Sequence, residues 1–290
     1  MSRRFSKVAI LGLGLIGGSL GLALKRAMGQ DVHIVGYSRR PETTAKAKDR
    51  GIVDTAAPDL REAVSEVDVV IIATPVLTIR EVLQGVAPHV GTGCVVSDIG
   101  STKRKVLEWA AEALPEGVDF VGGHPMAGKE TSGVDYADGG LFEGCVYCLV
   151  PSARAGETAV DIMKELAITV GARPMLIDAE SHDGLVAGVS HLPLLLSSAL
   201  MSCTAESESW PEMAGLAASG YRDMTRLASG DPELSRDISL TNSDEIAGWL
   251  DRYMEKLAEY RRLLETGPDE LIEEFSRAQA ARAKWLRGEH

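Results

Sequence analysis

The chain has 290 residues, enough to bury a full core and to divide into two domains. Its net charge of −12, from 30 basic against 42 acidic side chains, argues against general binding to nucleic acid or an anionic membrane while leaving room for a local basic pocket. Four cysteines, few and irregularly placed, imply no disulfide framework and fit a reducing compartment.

In chain order, Met1-Ser2-Arg3-Arg4-Phe5-Ser6-Lys7 runs straight into an apolar strand without the apolar core and cleavage site of a signal peptide, so a cytoplasmic location is expected. The strand Val8-Ala9-Ile10-Leu11 leads into Gly12-Leu13-Gly14-Leu15-Ile16-Gly17 and then a helical stretch, the context in which three glycines at this spacing mean a dinucleotide site. The first glycine permits the tight turn, the second lets backbone amides approach a pyrophosphate, and the third lets helix and strand pack closely, with the helix N-terminus facing the phosphate charge. A second strand, Val32 to Tyr37, completes the βαβ unit. About 20 residues past the motif, where an acid usually holds the ribose hydroxyls, stand Ser38, Arg39 and Arg40. A hydroxyl and two guanidinium groups suit a 2′-phosphate, which points to NADP rather than NAD. A solvated basic turn on another Rossmann-like domain is the plainer alternative.

Further strands are expected near residues 69–73, 94–98, 119–122, 145–150 and 173–177, a doubly wound α/β pattern. Val69 to Ala73 is apolar without a break, as a central parallel strand covered on both faces should be, and Thr74-Pro75 ends it. Ligands in open α/β sheets lie beyond the carboxyl ends of the strands, which gathers Thr74, Asp98 to Ser101 and Gly122 to Gly128 around one crevice. Candidate cofactor residues are therefore Gly12, Gly14, Leu15, Ile16, Gly17, Ser38, Arg39, Arg40, Thr74 and Pro75. Ser101, just before the helix that carries Val106 and Trp109, is expected to act as its N-cap, and beside a catalytic histidine its hydroxyl could also orient the ring.

Gly122-Gly123-His124-Pro125-Met126-Ala127-Gly128 places a histidine in a glycine-rich loop at the end of the strand 119–121, where a substrate can come close. His124 is the best catalytic candidate, because a near-neutral base can take a hydroxyl proton while hydride leaves the same carbon. A structural histidine is the alternative, and the position behind a dinucleotide motif weighs against it. Cys145 and Cys148 have a metal or redox spacing, but on a strand residues three apart face opposite sides, and no metal is expected.

After Asp178 strand signals largely stop and the chain reads as helical to its end, giving a dinucleotide-binding domain over 1–177 and a helical domain over 178–290. Gly184 to Met201 is apolar but interrupted by Ser190-His191 and Pro193, so a buried, kinked helix is expected rather than a membrane span. Arg222 and Arg226, four apart, would share one helix face as solvated charge or as a carboxylate clamp. The apolar stripe through Ile246, Leu250, Met254 and Leu257 serves a core, and a helix-mediated homodimer is a further expectation.

GLGLIGGSL at 12–20, DIGSTK at 98–103, GGHPMAG at 122–128, SHLP at 190–193 and YRDMTR at 221–226 together resemble the prephenate/arogenate dehydrogenase family, in its order and spacing over essentially the whole chain. The resemblance implies an N-terminal Rossmann-type domain, a C-terminal all-helical dimerisation domain, and oxidative decarboxylation of a cyclohexadienol to an aromatic product in tyrosine biosynthesis. It further implies that His124 accepts the ring hydroxyl proton, Ser101 supports it, Arg226 binds the ring carboxylate, and Ser190 and His191 line the pocket. Lys129, where some relatives carry threonine, would meet the side-chain carboxylate. Some prephenate-using members continue SHLP with histidine, and Leu194 at that place, with Ser38-Arg39-Arg40, resembles the NADP-dependent arogenate-using branch. Prephenate, with NAD or NADP, is the alternative substrate. Neither an appended regulatory ACT domain nor a fused chorismate mutase is expected. A β-hydroxyacid dehydrogenase would need a catalytic lysine that Gly184 to Met201 lacks, and a non-enzymatic NADP-sensing protein would need neither His124 nor Arg226.

Overall fold

The computed structural model describes residues 4–289, so Met1 to Arg3 of the N-terminal segment, and His290, lie outside the described residues. One sheet of eight strands runs β1 (Lys7–Leu11), β2 (His33–Tyr37), β3 (Thr55–Ala56), β4 (Val69–Ile72), β5 (Val95–Asp98), β6 (Asp119–Pro125), β7 (Val146–Pro151) and β8 (Arg173–Leu176). Their spatial order is β3-β2-β1-β4-β5-β6-β7-β8, all neighbours parallel except β6 and β7. This is a doubly wound order, with its switch point between β1 and β4. β3, only two residues long, carried no strand signal in the sequence.

The continuous apolar runs follow from cover on both faces. Val8, Ile10, Val69 and Ile71 point into one core with α1 (Leu15–Met28) and α6 (Glu157–Thr169), whereas Ala9, Leu11, Val70 and Ile72 point into another with α3 (Leu60–Ala63), α4 (Val76–Val86) and α5 (Arg104–Ala113). Alternate side chains therefore leave water on opposite sides, each fully buried Val, Leu or Ile contributing roughly 1.5–3 kcal/mol. α2 (Pro41–Asp49) joins β2 to β3.

Beyond β8 come α7 (Ala179–Val186), a π-helical turn over Ala187–His191, α8 (Leu192–Ala205), α9 (Trp210–Leu216), α10 (Ser219–Thr225) and α11 (Pro232–Thr241). By packing, these helices belong with the sheet in one compact unit that ends at Ser243. The second unit, 244–290, holds α12 (Ser243–Thr266), apart from its first residue, and α13 (Pro268–Leu286), where Tyr260 meets Phe275 with ring centres 5.7 Å apart and Lys256 reaches Glu274 at 3.2 Å.

Three local expectations are corrected. His124 stands in a strand rather than a loop, because β6 continues to Pro125 by pairing antiparallel with β7, His124 opposite Cys148. Gly122 and Gly123 therefore serve packing: a Cβ on Gly123 would lie 2.5 Å from the Asp98 carbonyl oxygen and 3.0 Å from the Tyr147 ring. Secondly, the segment around Pro193 is half-exposed rather than a buried helix, with Leu185 and Val189 open on the surface; Ala179–Ala205 is long and apolar enough to cross a membrane by length and composition alone. The kink is a π turn, in which the Leu192 amide donates to the Ala187 carbonyl five residues back, ahead of the proline that has no amide to give. Thirdly, α10 ends at Thr225, so Arg226 opens a separate 3-10 turn instead of continuing the helix face of Arg222.

Candidate active site

At the carboxyl ends of β1, β2 and β4 lies a cleft of about 790 Å³ lined by Gly12, Gly14, Ser38, Arg39, Arg40 and Thr74, among others. The glycine motif divides its labour as steric arithmetic requires. Gly12 has φ +107° and a Cβ there would sit 2.4 Å from the Ala73 carbonyl oxygen; a Cβ on Gly17 would meet the Gly12 carbonyl oxygen at 2.0 Å. A Cβ on Gly14 would meet nothing within 4 Å, so its absence keeps space open beside the first turn of α1, which no side chain caps. Thr74 Oγ1 is buried without a hydrogen-bond partner among the described residues. Uncapped amides, an open cradle and an orphaned hydroxyl fit a dinucleotide phosphate. Leu15, Ile16, Gly17 and Pro75 do not line the cleft: Leu15 and Gly17 are buried in the turn and helix packing. Arg39 and Arg40 form no ion pair among the described residues, and Ser38 Oγ accepts from the Arg40 amide at 3.4 Å.

His124 is buried, and its Nδ1 lies 2.9 Å from His182 Nε2. His182 Nδ1 in turn lies 2.7 Å from Asp183 Oδ1. The Asp183 carboxylate also accepts the backbone amides of Lys103 at 2.8 Å and Arg104 at 3.0 Å, the first free amides of α5. Here the sequence reading is corrected again: Ser101 does not cap this helix, which begins at Arg104, and the carboxylate of α7 takes that place. Burial by itself would raise the Asp183 carboxyl, but hydrogen bonds from His182 and the two amides outweigh it and hold the group below the usual carboxylate range. His124 is driven the other way for a base: burial first, then His182, Lys103 and His191 nearby, put it well below the ordinary 6.5.

A second buried carboxylate supports the first. Asp98 Oδ2 accepts the Gly100 amide at 2.7 Å and Lys103 Nζ, while Oδ1 accepts the Gly123 amide at 3.2 Å, next to His124. Lys103 is fully buried, and desolvation lowers its pKa although Asp98 opposes that. From the far end of α11, Asn242 Nδ2 donates to the Asp183 carbonyl at 2.9 Å and to His191 Nδ1 at 3.2 Å, and Arg104 donates to its Oδ1 at 3.0 Å. The neutral His191 ring therefore carries its hydrogen on Nε2, which is buried without a partner among the described residues; burial lowers this residue to about 4.

The remaining candidates lie further out. The Ser101 hydroxyl has no hydrogen bond among the described residues, and His182, not Ser101, engages His124 Nδ1. Ser190 is half-buried in the π turn. Lys129 pairs with Asp138 at 2.9 Å and Arg226 with Glu130, all on exposed or half-exposed side chains. Sequence reasoning missed His182, Asp183 and Asn242; a His-Asp pair just ahead of an apolar helix was the available signal.

Sequence models of the prephenate dehydrogenase nucleotide-binding domain and dimerization domain match residues 20–176 and 178–278. A prephenate dehydrogenase of Bacillus subtilis is 37% identical over 268 residues, 91% of this chain and 72% of that one. The structure of Aquifex aeolicus prephenate dehydrogenase in complex with hydroxyphenyl propionate and NAD+ superposes with a TM-score of 0.90 at 30% identity, covering 98% of this chain and 99% of that one. Synechocystis arogenate dehydrogenase superposes with a TM-score of 0.82 at 30% identity, covering 96% and 99%. With a dinucleotide cleft, a buried histidine at the carboxyl end of the sheet and likeness along nearly its whole length, the chain belongs to the prephenate dehydrogenase family, as an oxidoreductase of the prephenate/arogenate type.

Proposed function

We propose that the enzyme converts arogenate to tyrosine by NADP-dependent oxidative decarboxylation. The observation that carries the cofactor preference is Ser38-Arg39-Arg40 on the wall of the cleft at the end of β2, where a hydroxyl and two guanidinium groups without an ion pair among the described residues suit a 2′-phosphate, and where Ser38 stands at the place just past β2 that an acid usually takes. The nicotinamide, when bound, supplies a hydride acceptor. His124 Nε2 takes the proton of the ring hydroxyl as hydride leaves the same carbon, which becomes a carbonyl. As carbon dioxide departs, its bonding pair passes through the ring to that oxygen, and His124 returns the proton to give the phenol. The histidine thus ends as it began. Arg226 would hold the ring carboxylate in exchange for Glu130, and Lys129 the side-chain carboxylate in exchange for Asp138. Ser101, Ser190 and His191, whose Nε2 is buried without a hydrogen-bond partner among the described residues, would meet the polar parts of the substrate. Leu194, apolar and half-buried, offers no donor to a side-chain keto group, which favours the amino acid over the keto acid.

Initial rates with arogenate and prephenate, each with NADP and with NAD, test the reading. The expected result is turnover chiefly with arogenate and NADP, by at least about tenfold in kcat/KM over each other pairing. Preference for prephenate would overturn the substrate reading and leave the chemistry intact; preference for NAD would overturn the role given to Ser38-Arg39-Arg40.

A further inference from the structure

We infer that His182 is a positioning residue for the reaction: anchored on Asp183, it holds His124 in the tautomer whose Nε2 is bare and able to accept a proton. The inference rests on His124 being the group that takes the hydroxyl proton.

The direction of every hydrogen bond in the chain is fixed from one end. Asp183 sits where it can only accept, with Oδ1 taking the Lys103 amide at 2.8 Å and Oδ2 the Arg104 amide at 3.0 Å. Its third partner, His182 Nδ1 at 2.7 Å, must therefore be the protonated nitrogen of that ring. In the neutral ring Nε2 then has only a lone pair, so across the 2.9 Å contact His124 Nδ1 is the donor. The hydrogen of His124 is thereby placed on Nδ1 and its Nε2 is left basic. Without such a partner the neutral ring can carry its hydrogen on Nε2 instead, and would then present an N–H where a base is needed.

The same chain answers the charge that forms during the reaction. When Nε2 gains the hydroxyl proton, the Nδ1–H of the resulting imidazolium faces a lone pair on His182, and that ring is itself held by a carboxylate. All three side chains are shielded from water, His182 and Asp183 completely, so little solvent screens these contacts. Their anchorage is equally firm: α5 directs two amides at Asp183, Asn242 fixes its main-chain carbonyl at 2.9 Å, and Asp98 holds the Gly123 amide beside His124 at 3.2 Å. Substrate need not touch His182 for it to act.

The test uses the full-length protein and two readouts. Nitrogen-15 spectra of histidine-labelled enzyme, with the His124 signals assigned by their loss in His124→Asn, should show His124 protonated on Nδ1 and unprotonated on Nε2. Steady-state kinetics should then show His182→Phe lowering kcat about a hundredfold with KM within about threefold, and His182→Gln, whose amide oxygen can accept from His124 Nδ1, recovering roughly tenfold of that loss. A His124 protonated on Nε2 in the unmodified enzyme overturns the inference without any variant. So does a folded His182→Phe enzyme whose kcat stays within about threefold of the parent, or a glutamine variant no better than phenylalanine. Turnover that survives His124→Asn would instead remove the base assignment beneath it, a result the tautomer spectrum cannot mimic.

Discussion

A base that must work at neutral pH gains from being held neutral, and the surroundings of His124, the base proposed for this reaction, do that. Burial disfavours its imidazolium first, and His182, the ammonium of Lys103 and His191 add to the effect. The sign of the consequence is clear. On the role proposed for His124, catalysis needs the neutral ring, so kcat/KM should fall as pH drops through the free enzyme's His124 pKa, and a depressed pKa extends the plateau towards acid. The acid limb of kcat/KM for the substrate, measured from about pH 5 to about pH 8, is expected below the 6.5 of an ordinary histidine. A limb at or above that value would show that burial and the neighbouring Lys103 ammonium do not govern it. Lys103 is the telling neighbour, since a fully buried ammonium beside a fully buried carboxylate adds little stability for its desolvation. Its placement makes better sense as a scaffold, with the side chain on Asp98 and the amide on Asp183.

Among the elements, the turn from β1 into α1 shows how far a motif can be read physically. The three glycines have different reasons to be glycine, so they should fail differently. Gly17→Ala forces a methyl to 2.0 Å from the Gly12 carbonyl oxygen and is expected to destabilise the fold by about 1–3 kcal/mol in urea titrations. Gly14→Ala has backbone angles any residue adopts (φ −79°, ψ −158°) and no neighbour within 4 Å, so stability should stay within about 0.5 kcal/mol while cofactor affinity, by fluorescence titration, falls at least about tenfold. Equal loss of stability in both would refute this division. Strand positions and the dinucleotide turn were legible because each depends on residues adjacent in sequence: apolar runs of four or five, then glycines at fixed spacing. What was not legible depended on pairing at long range. β6 reads as ending at Val121 until β7 is beside it, and the cap of α5 reads as Ser101 until Asp183 arrives from 80 residues away. His124 stands out in its motif as a candidate, but its hydrogen-bond partner does not, because nothing in His182-Asp183 announces which helix end and which histidine it will meet.

For the whole molecule the open question is what covers its apolar surface. Leu264 is 73% exposed, Ile272 64% and Trp285 63%, all on the last two helices, and Leu185 and Val189 stand open near the π turn. The two helices of the second unit meet through Tyr260 and Phe275 and an ion-pair cluster of Lys256, Arg277 and Glu274, which leaves several large apolar side chains outside any core. Large apolar side chains this exposed on the last two helices, in the segment that matches a dimerization-domain model over residues 178–278, lead us to propose a site of association there. A homodimer is the simplest closed solution, because one patch can then cover its own copy about a two-fold axis. Light scattering coupled to size exclusion should therefore give about 62 kDa, twice the 30.9 kDa of the chain. Placing a charge in the patch, as in Leu264→Glu with Ile272→Glu, should shift the mass towards that of one chain at micromolar concentration, because a desolvated carboxylate costs several kcal/mol at an apolar interface. In solution the same change on an exposed monomer surface would leave stability within about 0.5 kcal/mol. A unit mass for the unmodified protein would overturn the dimer, and an unshifted double mass in the variant would place the interface elsewhere, with the apolar residues near the π turn next to be substituted.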